Sequence, residues 1–189
     1  MQSSSNGELV PPGAFVGGRD CDGTPIYVGR SIHRDDHLPA KVIPSKGCAY
    51  VCWRGKEIRK TEYEVLVGNG YEWVTSSGGS VPPNAVLGGI TCHGERLYIG
   101  RVAYRNSLTI GKIHPSHGCL YIPFAGKELN FHSYEVLIAK TDYFVCGYFF
   151  KKVSKSCYVQ VEEGRPWYES RPWYAPRSIE LDLSVKIKF

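Results

Sequence analysis

The residues of this chain equipped for chemistry are its cysteines, its paired lysine-glutamate steps and a doubled aromatic motif. Cys48 and Cys52 are separated by three residues and Cys21 lies in a turn signal, so neither a Cys-x-x-Cys step nor a histidine spacing suited to zinc is formed. Cys21, Cys48, Cys92 and Cys119 recur in register, which predicts small buried packing residues. A hydrolase needs a nucleophile with an orienting base, and no residue is singled out for either role, so neither an enzyme nor a cofactor is expected. Lys56-Glu57 and Lys127-Glu128, with Glu64 and Glu135, stand among glycine and apolar residues and predict partly buried ion pairs that fix strand register. Arg30 and Arg101 each follow a glycine at a strand end, where a guanidinium caps carbonyls or meets a ligand; the structural role is expected. Arg165-Pro166-Trp167-Tyr168 returns as Arg171-Pro172-Trp173-Tyr174. Its rings beside arginine suit stacking on a sugar, a base or a partner groove, or strapping the tail to the body.

What must position these residues is a duplication. Pro44-Ser45-Lys46-Gly47-Cys48-Ala49-Tyr50 returns as Pro115-Ser116-His117-Gly118-Cys119-Leu120-Tyr121. An offset of about 71 residues aligns the chain with itself from Pro11 to Val67 without a gap, with roughly 24 of 57 positions identical. The organisation expected is a flexible N-terminus at 1–10, a first unit at 11–75, a second at 76–150, and an extension at 151–189 carrying the Arg-Pro-Trp-Tyr pair. Trp73 lies at the end of the first unit and Phe144, by the same offset, at the end of the second, but no aromatic strand precedes the first. Each unit is therefore expected to lend its last strand to the other.

Aromatic content of 13% against one methionine, and no sustained apolar period near 3.6 residues, predict an all-β chain of short strands joined in hairpins. Ile26 to Ile32, Ala40 to Ile43, Cys48 to Trp53, Glu57 to Lys60 and Tyr63 to Val67 read as strands, with His33 to His37 as a polar loop. Ile179 to Phe189 alternates apolar and polar residues and predicts a strand that needs a partner sheet. A formal charge of +5, with lysines and arginines scattered, lacks the clustered face of a nucleic-acid binder. No apolar run approaches a membrane span. The first residues lack the apolar core of a signal peptide, so the expected compartment is the cytoplasm, unless the chain is exported by a route that needs none.

Gly17 to Arg30, Leu38 to Pro44, Gly55-Lys56-Glu57 and Tyr63 to Val67 resemble the DM-nine repeat family. Tyr98 to Arg101, Gly111 to Pro115, Gly126 to Glu128 and Tyr134 to Leu137 supply the second copy, over about residues 11 to 146. The resemblance implies an all-β, pseudo-twofold module of tandem units with intertwined antiparallel strands. It also implies lectin activity of mannose type in innate immune pattern recognition, with Asp22 and Lys41 holding the sugar. A carboxylate that accepts and an ammonium that donates suit vicinal hydroxyls, and a nearby tyrosine such as Tyr27 would supply a wall. Without the resemblance, Asp22 reads as closing an Asp-Gly turn and Lys41 as solvated. His93 and Lys112 are the second unit's counterparts, a weaker pair because a neutral imidazole is a poorer acceptor. Ala40 departs from the glycine usual before that lysine. Partners expected are mannose-type glycans, including those of microbial surfaces, and a second copy of the chain, since single lectin sites are weak. Two alternatives stay open: a cytosolic or vesicle-associated interaction module, and the targeting part of a natterin-like pore-forming toxin, for which little sequence follows the repeats.

Overall fold

The computed structural model describes residues 10–140 and 149–153. Its strands are β1 (Val16–Arg19), β2 (Pro25–His33), β3 (Asp36–Ile43), β4 (Cys48–Trp53), β5 (Lys56–Lys60), β6 (Tyr63–Val67), β7 (Tyr71–Ser77), β8 (Leu87–Ile90), β9 (Arg96–Tyr104), β10 (Ser107–His114), β11 (Cys119–Phe124), β12 (Lys127–Phe131), β13 (Ser133–Ala139) and β14 (Phe149–Val153). A single 3-10 turn follows β3 at Pro44–Lys46 and β10 at Pro115–His117. The fold is all-β, and β1 to β6 are matched in order by β8 to β13, as the duplication requires.

Every strand pair is antiparallel. Passing from β2 through β1, β10, β11, β12, β5 and β4 to β3, and back through the β2–β3 ladder, closes an eight-strand barrel. The ring crosses between units twice, at β1–β10 and at β5–β12, and β3–β8 makes a third inter-unit seam. Closure removes the free edges within the ring, and β7 and β14 are left as the edge strands of the sheet.

The half of the expected strand exchange that involves Trp73 is present. Over its whole length β7, from the end of the first unit, pairs with β13 of the second, with Trp73 opposite Leu137. In return β14 pairs with β6, Phe149 opposite Val67 through Val153 opposite Tyr63. The returning strand lies further along the chain than the offset indicates, and Phe144 falls outside the described residues. The Arg-Pro-Trp-Tyr pair and the alternating tail also lie outside them.

Three clusters form the core. Leu38, Ala40, Val42, Ala49, Val51 and Val65 fill the first unit, and Ile113, Leu120, Ile122, Tyr134 and Val136 the second. Between them Ile26, Val28, Ile43 and Leu66 meet Val86, Ile99, Ile110 and Leu137 in a cluster shared by both units. Because β3 and β10 have core on both faces, each is buried along most of its length. Burial of an aliphatic side chain stabilises by about 1.5–3 kcal/mol, so the shared cluster binds the halves into one body.

The polar loop expected from His33 to His37 is a two-residue turn, Arg34-Asp35, because β2 and β3 extend to either side of it. The cysteine expectation holds in part. Cys48, Cys52 and Cys119 are buried, but Cys21 and Cys92 are exposed, since they sit at the tips of the turns that follow β1 and β8.

Candidate functional site

The site is built where the turn after β1 meets the 3-10 turn after β3. Asp20 and Thr24 close the first turn through the Asp20 amide on the Thr24 carbonyl, 2.8 Å, and the Gly23 amide on the Asp20 carbonyl, 3.0 Å. Asp22 at its tip is exposed, and its Oδ1 accepts the Thr24 amide at 2.9 Å. Hydrogen bonds from Thr24, through side chain and then backbone, hold the Asp22 carboxyl below the usual aspartate range, so it is an anion at neutral pH. The Asp20 Oδ1 takes the Cys21 amide at 2.9 Å, and its Oδ2 takes Lys46 Nζ at 2.6 Å. Burial works to raise the Asp20 pKa, but the Lys46 bond, the Cys21 amide and the charges of Lys46 and Lys41 outweigh it. Lys46 remains 46% exposed at its side chain, enough to reach a ligand while paired. Tyr50, one strand over, adds a ring and a hydroxyl within the field of Lys46.

Lys41 lies behind this rim and is 5% exposed. Its Nζ donates to the Pro123 carbonyl at 2.5 Å and to Glu57 Oε1 at 2.9 Å. Glu57 Oε2 in turn accepts the Gly126 amide at 2.7 Å. The second unit repeats the arrangement: Lys112 Nζ reaches the Cys52 carbonyl at 2.9 Å and Glu128 Oε1 at 2.9 Å, and Glu128 Oε2 accepts the Gly55 amide at 2.5 Å. Each lysine and each glutamate thus bonds across to the other unit. Glu57 and Glu128 form the buried ion pairs expected of them, but with Lys41 and Lys112 rather than with the adjacent lysines. Arg30 and Arg101 lie inside β2 and β9 rather than at strand ends, and their role is structural through ion pairs: Arg30 with Glu64, and Arg101 Nε with Glu135 Oε2 at 2.7 Å.

The structure does not bring Tyr27 to Lys41. Tyr27 faces Val42 across β2–β3, whereas Lys41 faces Val28 and Tyr50. Opposed residues share a face and neighbours alternate, so Tyr27 and Lys41 lie on opposite faces of the sheet. Tyr27 packs on the first unit's core, and the ring beside the Lys41 ammonium is Tyr50, its centroid 5.2 Å away. Tyr50, Asp20 and Lys46 escaped the sequence reading; the signal was the Tyr50–Tyr121 identity between the two copies.

At the equivalent rim of the second unit the chemistry differs. His93 stands exposed in place of Asp22, and Glu95 is turned onto His114 Nε2 at 3.0 Å, the Ser116 amide at 2.9 Å and the Ser116 hydroxyl at 2.8 Å. The His114 and His117 rings lie 3.6 Å apart, and His117 Nδ1 meets the Tyr121 hydroxyl at 3.1 Å. Burial, with the charges of His117 and Lys112, holds His114 below its ordinary 6.5 despite the Glu95 bond. The unfolded chain therefore binds the proton more readily. The His114 contribution to stability is complete above 6.5 and is lost as pH falls below it toward the folded value. Glu95, depressed below its ordinary 4.5, adds a second loss below that pH. His114→Ile, which installs the residue found at the matching position 43, is expected to lower the acid sensitivity of the thermal midpoint between about pH 7.5 and 5.5. An unchanged slope in paired melting curves would show that another group carries it.

Among the described residues no cluster of three or more His, Cys, Asp and Glu side chains is arranged to hold a metal ion. No helix of the described residues is long and apolar enough to cross a membrane.

A closed all-β body of two intertwined units, with a charged turn at the same place in each, is a tandem-repeat module. The family model described as DM9 repeat matches residues 20–131, and the chain belongs to the DM9 repeat family. Natterin-1 of Thalassophryne nattereri is 35% identical over 85 residues, 45% of this chain and 21% of the relative. Natterin-3 of the same organism is 39% identical over 71 residues, 38% of this chain and 17% of the relative. The chain thus spans about a fifth of the length of the relatives it matches.

Proposed function

We propose that the chain is a carbohydrate-binding module of lectin type that takes mannose-type glycans at the first unit's rim, in the setting of innate immune recognition. The observation that carries this is the turn that exposes the Asp22 carboxylate while its Asp20 holds the half-exposed Lys46 ammonium at 2.6 Å, with the Tyr50 ring behind them at Lys41. Asp22 accepts from one sugar hydroxyl, and Lys46 and the Tyr50 hydroxyl serve a neighbouring one. Lys41 lies behind: the Lys46 bond and the Cys21 amide hold Asp20 ionised, with the Lys41 charge adding a smaller share, and Asp20 fixes Lys46. The second unit is the weaker site, because His93 replaces the exposed carboxylate and Glu95 is spent on His114 and Ser116. A single site of this kind is weak, so useful avidity rests on a second chain. For glycans of microbial surfaces this reading takes the export route rather than the cytoplasmic location expected from the first residues.

The test is binding to immobilised mannan. Asp22→Ala, at an exposed turn tip, is expected to keep the fold and weaken binding about tenfold or more, the value of a charge-assisted hydrogen bond. Retained binding in Asp22→Ala would remove the first unit's rim from consideration. The natterin relatives favour a second reading, in which the module is the targeting part of a larger toxin-like protein. Leakage from lipid vesicles distinguishes the two.

A further inference from the structure

The two hairpins that meet on the pseudo-twofold axis carry a charge arrangement with no part in the rim. The β4–β5 turn is Arg54-Gly55 and the β11–β12 turn is Ala125-Gly126, and all four residues have positive φ, the two-residue geometry that twists with its strands. The tips pair through Lys56 opposite Lys127. The flanking bonds run from the Glu57 amide to the Gly126 carbonyl, 3.2 Å, and from the Glu128 amide to the Gly55 carbonyl, 3.0 Å. That pattern makes Lys56 and Lys127 a non-hydrogen-bonded pair, with Cα atoms about 4.5 Å apart and side chains on one face. Like charges opposed in this way destabilise a sheet.

The neighbouring carboxylates do not relieve the repulsion. Glu57 is committed inward to Lys41 and the Gly126 amide, and Glu128 to Lys112 and the Gly55 amide. Beside Lys56, in register, stands Trp53, with the Arg54 guanidinium 4.5 Å and the Arg34 guanidinium 4.8 Å from its ring centroid. The Asp36 carboxylate is taken by the Trp53 indole N–H at 3.2 Å and the Cys92 amide at 2.8 Å. Asp35, beside Arg34, is the remaining carboxylate of that turn. Among the described residues none of Arg34, Arg54, Lys56 and Lys127 has an ion pair, and all four are exposed.

We propose that this cluster is a binding site for a sulfated polysaccharide. Two ammoniums held side by side bracket one tetrahedral sulfate ester, and the stacked guanidiniums receive the next. The inter-unit bonds of Glu57 and Glu128 supply the force that keeps the lysines together, so the site is formed before the ligand arrives. Nucleic acid is disfavoured, because base stacking needs a bare aromatic face and two guanidiniums lie over Trp53. The site is independent of the Asp22 rim.

The experiment is equilibrium binding of the full chain to dextran sulfate, with uncharged dextran and a single-stranded DNA oligonucleotide of similar charge in parallel. K56Q/K127Q is expected to weaken dextran sulfate binding about tenfold or more, and R54N, which suits a positive φ, to weaken it by a smaller factor. R19Q/R96Q removes the same charge from exposed positions elsewhere and should change binding less than about threefold. D22A should bind dextran sulfate as the parent does. K56Q/K127Q should also melt above the parent, since the repulsion is gone. Equal losses in the two double variants, no loss in K56Q/K127Q, or oligonucleotide binding as tight as dextran sulfate would each overturn the proposal.

Discussion

Glu128→Ala is expected to lower the unfolding free energy by about 3–5 kcal/mol, the cost of leaving one partner of a buried ion pair behind. Glu128 Oε1 faces Lys112 Nζ and its Oε2 takes the Gly55 amide, with only 7% of its side chain exposed. Removing it leaves an ammonium that is 8% exposed with the Cys52 carbonyl as its remaining hydrogen-bond partner. It also strips an acceptor from a turn amide of the other unit. Both losses fall at the β5–β12 seam, where a single residue pair joins the strands. The two units should therefore lose stability together, in one transition on chemical denaturation. Glu128→Gln keeps an acceptor for Gly55 and should cost less. Lys112→Met combined with Glu128→Leu should recover part of the loss, because no charge is then stranded. A cost below about 1 kcal/mol for Glu128→Ala would mean that the lysine reaches water, and the Lys112–Glu128 pair would not be what holds the seam.

The duplication made most of the fold legible. An offset that carries glycines, prolines and alternating apolar residues from one copy onto the other dictates equivalent strands, and Trp73 without a counterpart before the first unit pointed to the exchange. The site was less legible, for reasons of register. Lys41 sits between Ala40 and Val42, so alternation assigns it to the face opposite a core and reads as solvated. The other face is buried too, because the shared cluster of Val28, Ile43 and their second-unit partners lies against it. Alternation cannot mark a strand that is buried on both sides. Whether Tyr27 or Tyr50 adjoins Lys41 depends on the β2–β3–β4 register, which parity within one strand leaves undetermined. The Lys56–Lys127 opposition is set by an inter-unit seam, and no local pattern reports such a contact. The identity of Lys41 with Lys112 and of Glu57 with Glu128 was the available signal, since two charges kept in both copies among apolar residues demand partners.

Gly18→Ala is expected to cost about 3 kcal/mol or more, the upper range for forcing an extra methyl into a packed site. A Cβ at Gly18 would lie 1.9 Å from the Leu108 carbonyl oxygen, and one at Gly89 would lie 2.1 Å from that of His37. Both obstacles are backbone, so relief requires a strand to retreat. The strands concerned are β1 against β10 and β8 against β3, the seams through which each unit grips the other. Gly23→Ala is the informative contrast. Gly23 has φ +84 with nothing within 4 Å of its Cβ, so its substitution costs only the left-handed strain of about 1–2 kcal/mol. Denaturation curves of the three variants should rank Gly18→Ala and Gly89→Ala well below Gly23→Ala; equal losses would show that the seams yield and that close approach does not hold the units together. The two seam variants should also differ in function. Residues 18 and 20 belong to one continuous segment, so a displaced β1 moves Asp20 and Asp22 away from Lys46. Gly89 governs the other turn, where His93 stands. At a temperature where both variants remain folded, Gly18→Ala should therefore lose mannan binding that Gly89→Ala retains.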